Sequence, residues 1–428
     1  MRRVMRLTLD TFTQHPWSVA VGFAILSVAL RLLWMVARGW EFPAADTSAY
    51  VRIANALSSG FGYARGPAAP TAFVVPLYPM LLATSIRLFG QDLQVVQLLQ
   101  AVMGGAVCLL VFEIARNISN TRSALFAALT TCFHPWLINW SGYILTESLF
   151  VLLITASVAA MVRLMKSRNL RTGIIVGGLF GLTALTRTSG LPAFLLVILA
   201  WPLLMKRGRS RWLSLLVVVM AFTVVYAPWP IRNYIAFERV ILTSTDGAGL
   251  FAANQAGQTT LLEITTGNDP STDRTFPYPP EAQTVNEVER YEILWSAGLR
   301  AVLADVGEFV RRSMVRMWLF WSPGFPTHST LHNSLNLLFY LPLYLLAGVG
   351  MTILFRTGQR HAAFLILVLF LCFTLIHGAT VVDWDQRYRL PLQPMLAALA
   401  GIGGARVLCL LMQRRGAYPC CHERPRKV

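Results

Sequence analysis

Long apolar stretches separated by short basic loops constrain this chain more than any motif in it. Ten stretches read as membrane-crossing helices, roughly 17–37, 93–115, 123–140, 148–165, 172–187, 189–205, 212–230, 333–355, 361–381 and 390–412. Within lipid a segment must satisfy its own backbone, and a helix does so. Composition agrees: 55 % of residues are hydrophobic and 13 % charged, where a soluble chain carries about a quarter charged residues. The expected fold class is all-α and polytopic, one integral-membrane domain over 1–428 with about ten transmembrane helices.

Charge sets the topology. Lys and Arg in short loops hold those loops in the cytoplasm, as in 163–171 (Arg163, Lys166, Arg168, Arg171) and 206–211 (Lys206, Arg207, Arg209, Arg211). Both termini then fall in the cytoplasm of a cell (inner) membrane. The net charge of +17 follows from this bias and gives no reason to expect nucleic acid. Of the 20 Asp and Glu, all but Asp10, Glu113 and Glu423 lie in the outer loops or at their mouths. The span after the basic MRRVMR start is too long for a signal-peptide core, so it reads as an uncleaved helix. Cys108, Cys132, Cys372 and Cys409 fall within spans and Cys420 and Cys421 in the tail, so no external disulfide is expected.

Two outer loops are long, 38–92 and 231–330. Each holds an apolar segment that is not counted as a span. If 71–89 crossed, the basic loops after it would face outward, so it reads as a juxtamembrane or re-entrant helix. Residues 308–325 read as an interfacial amphipathic helix, with Arg311, Arg312 and Arg316 toward lipid phosphate and Trp318 and Trp321 as anchors.

The outer rim holds the candidate chemistry. Asp46 begins a short helical pattern, where capping and catalysis are equally good accounts. Glu147, in GYILTESLF, has apolar residues on both sides. A carboxylate there needs a partner, although a first-turn Glu is also favoured by the helix dipole. Arg187 (LTRTSG), Arg232 (PWPIRNY), Arg387 and Arg389 (RYRLPL) are cations on the side that the positive-inside bias depletes. They fit ion pairs with Asp383 or Asp385, or a clamp on phosphate, whose oxygens match the guanidinium fork. His134 and His377 lie in apolar spans and are expected to be structural.

In these residues the chain resembles integral-membrane glycosyltransferases of the C-type fold. The branch is that of bacterial protein O-mannosyltransferase-like proteins, aminoarabinose transferases and rhizobial lipopolysaccharide-core sugar transferases. Asp46, the prolines of FVVPLYPMLLA, Glu147, Arg187, PWPIRNY, GAGLFAANQAG and RYRLPLQPMLAALAG occur in the family's order relative to the spans. The resemblance implies a polyprenyl-phosphate sugar donor and a glycan, lipid or protein acceptor at the outer membrane face. It implies Asp46 as base and Glu147 as a second acid that positions the acceptor or the arginines. Arg187, Arg232, Arg387 and Arg389 would bind the donor phosphate, and Tyr78, Asn254 and Tyr388 would position substrate. The first loop departs from the family in having one acid and no Asp-x-Asp pair. No cofactor is therefore expected, and metal dependence is in doubt. A transporter or lipid flippase would also explain spans with membrane-level charges, but it predicts internal repeats with helices broken near the midplane. No such repeat is seen.

Overall fold

The computed structural model describes residues 14–44, 46–66, 69–254, 279–325, 328–380 and 386–414. Among them are 19 α-helices and no strand. In order they are α1 (Pro16–Ala37), α2 (Thr47–Ser58), α3 (Leu77–Phe89), α4 (Gln94–Ile118), α5 (Thr121–Cys132), α6 (Pro135–Asn139) and α7 (Glu147–Ser167). Next come α8 (Leu170–Ala184), α9 (Gly190–Leu199), α10 (Trp201–Leu204), α11 (Arg209–Tyr226), α12 (Pro228–Phe237) and α13 (Thr245–Asn254). The rest are α14 (Pro280–Gln283), α15 (Glu287–Ala304), α16 (Val306–Trp321), α17 (Thr330–Arg356), α18 (Arg360–Thr380) and α19 (Gln393–Arg414), with a 3-10 turn, Arg387–Leu392, leading into α19.

All ten predicted spans are helical. Six described segments are long and apolar enough to cross a membrane: α1, α4, α7, α17, α18 and the run Arg387–Gln413. Helices α11 and α12 pass the same test as a pair bent by 41°. The bend falls at Pro228, which cannot donate a backbone N–H to the preceding turn. The other three predicted spans are shorter or divided. The 123–140 stretch breaks at His134–Pro135, and 189–205 breaks ahead of Pro202. Helix α8 has 15 residues, about 22 Å of rise against a hydrocarbon core of about 30 Å. The protein is thus a multi-pass membrane protein in which six or seven of the ten segments have full crossing length. Segment 71–89 yields the 13-residue α3 after an extended approach tied to the α8–α9 turn, the Leu77 amide donating to the Leu185 carbonyl at 2.9 Å.

Burial separates core from periphery. In α7, 72 % of the most apolar window is buried, against 28 % in α1 and in α17, so α7 is central and the other two present their apolar faces outward. Helix α19 packs against both α5 and α17. Its contact with α17 depends on small residues, as close helix packing in lipid does. A side chain at Gly350 would run into the Leu399 carbonyl, and one at Gly403 into the Leu346 carbonyl. Gly350→Leu is therefore expected to cost about 1–3 kcal/mol or more by overpacking. Thermal unfolding of the detergent-purified protein measures it.

Helix α16 corrects one expectation. Trp318 is exposed, but Arg316 is buried and faces inward, donating to the carbonyls of Gly378 (2.9 Å), Ala379 (3.1 Å) and Ala253. Arg312 is also buried and pairs with Glu308 at 2.7 Å, while Arg311 pairs with Glu308 on the exposed side. A buried guanidinium with five donors is satisfied by carbonyls at a helix end as well as by phosphate.

Candidate functional site

Glu147 is the first residue of α7 and 2 % exposed. The N-terminal turn of a helix favours an acid, yet burial there still demands cations. Two arrive from distant parts of the chain. Arg187, in the turn between α8 and α9, donates to Glu147 Oε1 at 2.5 Å and to Thr146 Oγ1 at 3.3 Å. Arg387, opening the 3-10 turn before α19, donates through Nε to the same Glu147 oxygen. Its Nη1 reaches Asp46 Oδ2 at 2.8 Å. The result is a linear network, Arg187–Glu147–Arg387–Asp46.

Exposure grades along that network. Side-chain exposure is 2 % at Glu147, 18 % at Arg187, 17 % at Arg387 and 46 % at Asp46. The inner acid is therefore locked between two cations, while the outer acid is open to a ligand. Asp46 precedes α2 but its side chain makes no capping hydrogen bond, so the capping account of this residue is not realised. The Tyr388 ring stands near both guanidinium groups, 5.2 Å from Arg187 and 5.6 Å from Arg387.

Tyr78, expected to position substrate, is fully buried and supports this network together with Tyr50, Gln97 and Gln100, which were not expected at the site. Tyr50 of α2 packs edge-on against Tyr78 of α3, ring centroids 5.4 Å apart. Burial, with the Glu147 charge second, pushes the Tyr50 phenol up to about 12, so it stays neutral. The Tyr78 hydroxyl donates to Gln100 Oε1 at 3.0 Å. Gln100 Nε2 in turn donates to the carbonyls of Ser141 (2.9 Å) and Tyr143 (2.8 Å), and Gln97 Nε2 to that of Gly142 (2.7 Å). These two glutamines, one turn apart on α4, hold the loop that delivers Thr146 and Glu147. Their signal was available: paired Gln at (i, i+3) in an apolar helix needs partners.

Three expected site residues are placed elsewhere. Arg389 lies two positions beyond Arg387, is fully buried, and donates to the Phe320 carbonyl (2.8 Å), the Ser322 carbonyl (3.1 Å) and Gln386 Oε1 (2.5 Å). Arg232 donates to the carbonyls of Thr71 and Tyr63, both at 2.7 Å, and so ties the first long loop to α12. Asn254 donates to the carbonyls of Leu250 (2.9 Å) and Ala379 (3.2 Å). All three satisfy backbone carbonyls in irregular segments or in the last turns of helices. Asp383 and Asp385 lie outside the described residues. Among the described residues no three His, Cys, Asp or Glu side chains converge to hold a metal ion, and a guanidinium stands between Asp46 and Glu147.

Arg389→Lys is expected to lower the melting temperature of the purified protein more than Arg187→Lys does. The first removes donors from buried carbonyls, each about 1–3 kcal/mol when left unsatisfied. The second keeps a cation beside the Glu147 carboxylate, at a side chain that is itself partly exposed. Thermal scans of both variants check the order.

Residues 70–230 match the family model of dolichyl-phosphate-mannose-protein mannosyltransferase. That stretch contains Glu147 and Arg187; Asp46 and Arg387 lie outside it. The structure is similar to the Archaeoglobus fulgidus oligosaccharyltransferase AglB in complex with an inhibitory peptide and a dolichol-phosphate. The TM-score is 0.59 at 17 % identity, covering 95 % of this chain and 52 % of that one. The apo form of the A. fulgidus oligosaccharyltransferase gives a TM-score of 0.57 at 15 % identity, again over 95 % and 52 %. ArnT from Cupriavidus metallidurans bound to undecaprenyl phosphate gives 0.44 at 15 % identity, over 90 % and 78 %. No curated protein sequence matches significantly. The chain thus spans about half the length of the archaeal enzyme it superposes on. At these identities the likeness carries the fold, and it bears out the resemblance to C-type-fold membrane glycosyltransferases.

Proposed function

We propose that the chain is a glycosyltransferase that moves a sugar from a polyprenyl-phosphate donor to an acceptor hydroxyl, inverting the anomeric centre. The observation that carries this reading is the Arg187–Glu147–Arg387–Asp46 network at one end of a bundle with the C-type fold. The mannosyltransferase family match and the dolichol-phosphate in the AglB complex support a lipid phosphate as donor. The charge bias of the loops supports an outward-facing site and cytoplasmic termini in the cell (inner) membrane.

The chemistry follows from the residue types. The acceptor oxygen attacks the anomeric carbon as its proton passes to the Asp46 carboxylate. The bond from that carbon to the phosphate oxygen breaks, and the lipid phosphate departs with the electron pair. Arg187 and Arg387 offset its charge, so it needs no proton from an acid. One base therefore suffices, unlike glycoside hydrolysis, which commonly uses two carboxyl groups. Glu147 holds both guanidinium groups in place and keeps the buried cluster near neutral. Phosphate binding competes with Asp46 for Arg387, which frees the Asp46 carboxylate as the donor arrives.

Arg187→Met is expected to weaken donor use by about tenfold or more, seen as a raised KM for the lipid-linked sugar, because a charge-assisted contact to phosphate is lost. Kinetics with labelled polyprenyl-phosphate sugars and an extract of host envelope as acceptor measure it. Passage of the intact donor across a vesicle membrane without cleavage would instead identify a transporter.

A further inference from the structure

At the end of the bundle opposite the Arg187–Glu147–Arg387–Asp46 network, cations gather without acids. The two ends lie about 30 Å apart, since α7 runs 21 residues from Glu147 to Ser167. Helices α8 and α11 run parallel and bring two basic loops together there. Gly173, Gly177 and Gly181, each one turn from the next on α8, pack against Val217, Val218 and Val225 of α11 in turn. That register sets Arg168 and Arg171, at the turn from α7 into α8, beside Lys206, Arg207 and Arg211, at the start of α11. The Trp201 indole donates to the Arg211 carbonyl at 3.0 Å and fastens the second loop. His361 of α18 donates through Nδ1 to the Leu203 carbonyl at 2.7 Å, which adds Arg360 to the group. All of these cations are exposed except Arg211, which is half-buried. Among the described residues none of the six pairs with a carboxylate, and Glu113, the one acid at this end, is taken by Arg163.

Arg168 ends α7 in left-handed backbone, with φ 53° and ψ 21°. Glycine takes such a position without strain, so an arginine kept there costs the fold stability. Directly below the cations the surface is apolar: Leu213, Leu216 and Met220 form an exposed row on α11, and Ile174 is exposed on α8. Cations above an apolar face match a phospholipid, its headgroup over its acyl chain; a soluble anion has no use for the lower half. Topology requires basic loops on one side of the membrane. It does not require loops distant in sequence to gather at one corner without an acid, where like charges repel and a bound anion relieves them. We propose that this corner binds the headgroup of an anionic phospholipid of the adjoining leaflet, with Arg168, Arg171, Lys206, Arg207, Arg211 and Arg360 around its phosphate. The surface is remote from the network, and the transferase reading plays no part in it.

The test is equilibrium binding of phosphatidylglycerol to the detergent-purified full chain, with zwitterionic phosphatidylcholine and soluble glycerol phosphate as controls. A triple variant, Arg171→Gln with Lys206→Gln and Arg207→Gln, is compared with the wild type. A charge-matched variant carries Arg52→Gln, Arg87→Gln and Arg300→Gln, three exposed positions at the network end. The wild type is expected to prefer phosphatidylglycerol to phosphatidylcholine. The triple variant is expected to lose about tenfold or more in affinity for phosphatidylglycerol, and the charge-matched variant to keep it. Arg168→Gly separates binding from structure. Its affinity for phosphatidylglycerol is expected to fall about fivefold while its lipid-free melting temperature holds or rises, whereas a structural arginine would lower that temperature. Equal binding by wild type and triple variant overturns the proposal, as does an equal loss in the charge-matched variant, which would mark a diffuse effect of net charge. Equal affinity of the wild type for the two lipids overturns it too. Competition by glycerol phosphate as strong as by the lipid would identify a soluble-anion site instead. Should the triple variant misfold, unchanged affinity in Arg168→Gly overturns the proposal by itself.

Discussion

Asp46→Asn is expected to lower the rate of sugar transfer by about 10²–10⁴-fold, the usual contribution of a positioned general base, while leaving the protein folded. The substitution keeps size and hydrogen bonding and removes the proton acceptor. Asp46 is half exposed and pairs with a guanidinium that remains tied to Glu147, so its neutralisation leaves no cation stranded. The melting temperature is accordingly expected to stay within a few degrees of the wild type, and KM for the donor to hold or fall, since Arg387 loses a competitor. Steady-state kinetics separate the two parameters. A normal rate in the Asn variant would reject Asp46 as the base and leave the role to a group on the acceptor.

Glu147→Gln is expected to act in the opposite manner, on the fold first. It removes the one fully buried acid to which both Arg187 and Arg387 are bound, at 2 % exposure. Breaking such a pair costs about 3–5 kcal/mol, because the partner charges stay behind. The expected result is a large fall in folded yield and melting temperature. Double-variant behaviour identifies the cause. In the background of Arg187→Met, the further loss from Glu147→Gln is expected to be smaller, because one stranded cation has gone. Equal losses in both backgrounds would mean that Glu147 and Arg187 do not act as a pair.

The two acids differ in role for a reason that was partly legible in the sequence. Apolar flanks on both sides of Glu147 say that it is buried, and burial says that it needs cations. A charge within an outer loop shortly after a span, as at Asp46, says only that it is at the rim. Which arginines serve was not legible. Arg387 and Arg389 are two residues apart in a 3-10 turn, so they leave it in different directions, one to Glu147 and the other to the Phe320 and Ser322 carbonyls. Residue type cannot separate them, because a guanidinium satisfies a carboxylate, a phosphate or a set of carbonyls with the same donors. Arg232 and Arg316 went to carbonyls for the same reason.

The helical, multi-pass character followed directly from the apolar periodicity. The lengths of individual crossings did not, because prolines at Pro135, Pro202 and Pro228 divide stretches whose hydropathy is continuous. Arg31 was visible as the lone charge within 17–37. Averaging over a span hides a single cation, and only the packing of α1 against α4 shows that this one faces inward.

The most direct measurement is product analysis after incubating the detergent-purified protein with polyprenyl-phosphate sugars and envelope extract. One donor is expected to be consumed, free polyprenyl phosphate to appear in equal amount with glycosylated acceptor, and the new glycosidic bond to have the opposite anomeric configuration to the donor. Retention of configuration would contradict the single-base displacement. Consumption of no donor, from a panel that includes the host's own lipid-linked sugars, would contradict the transferase reading itself.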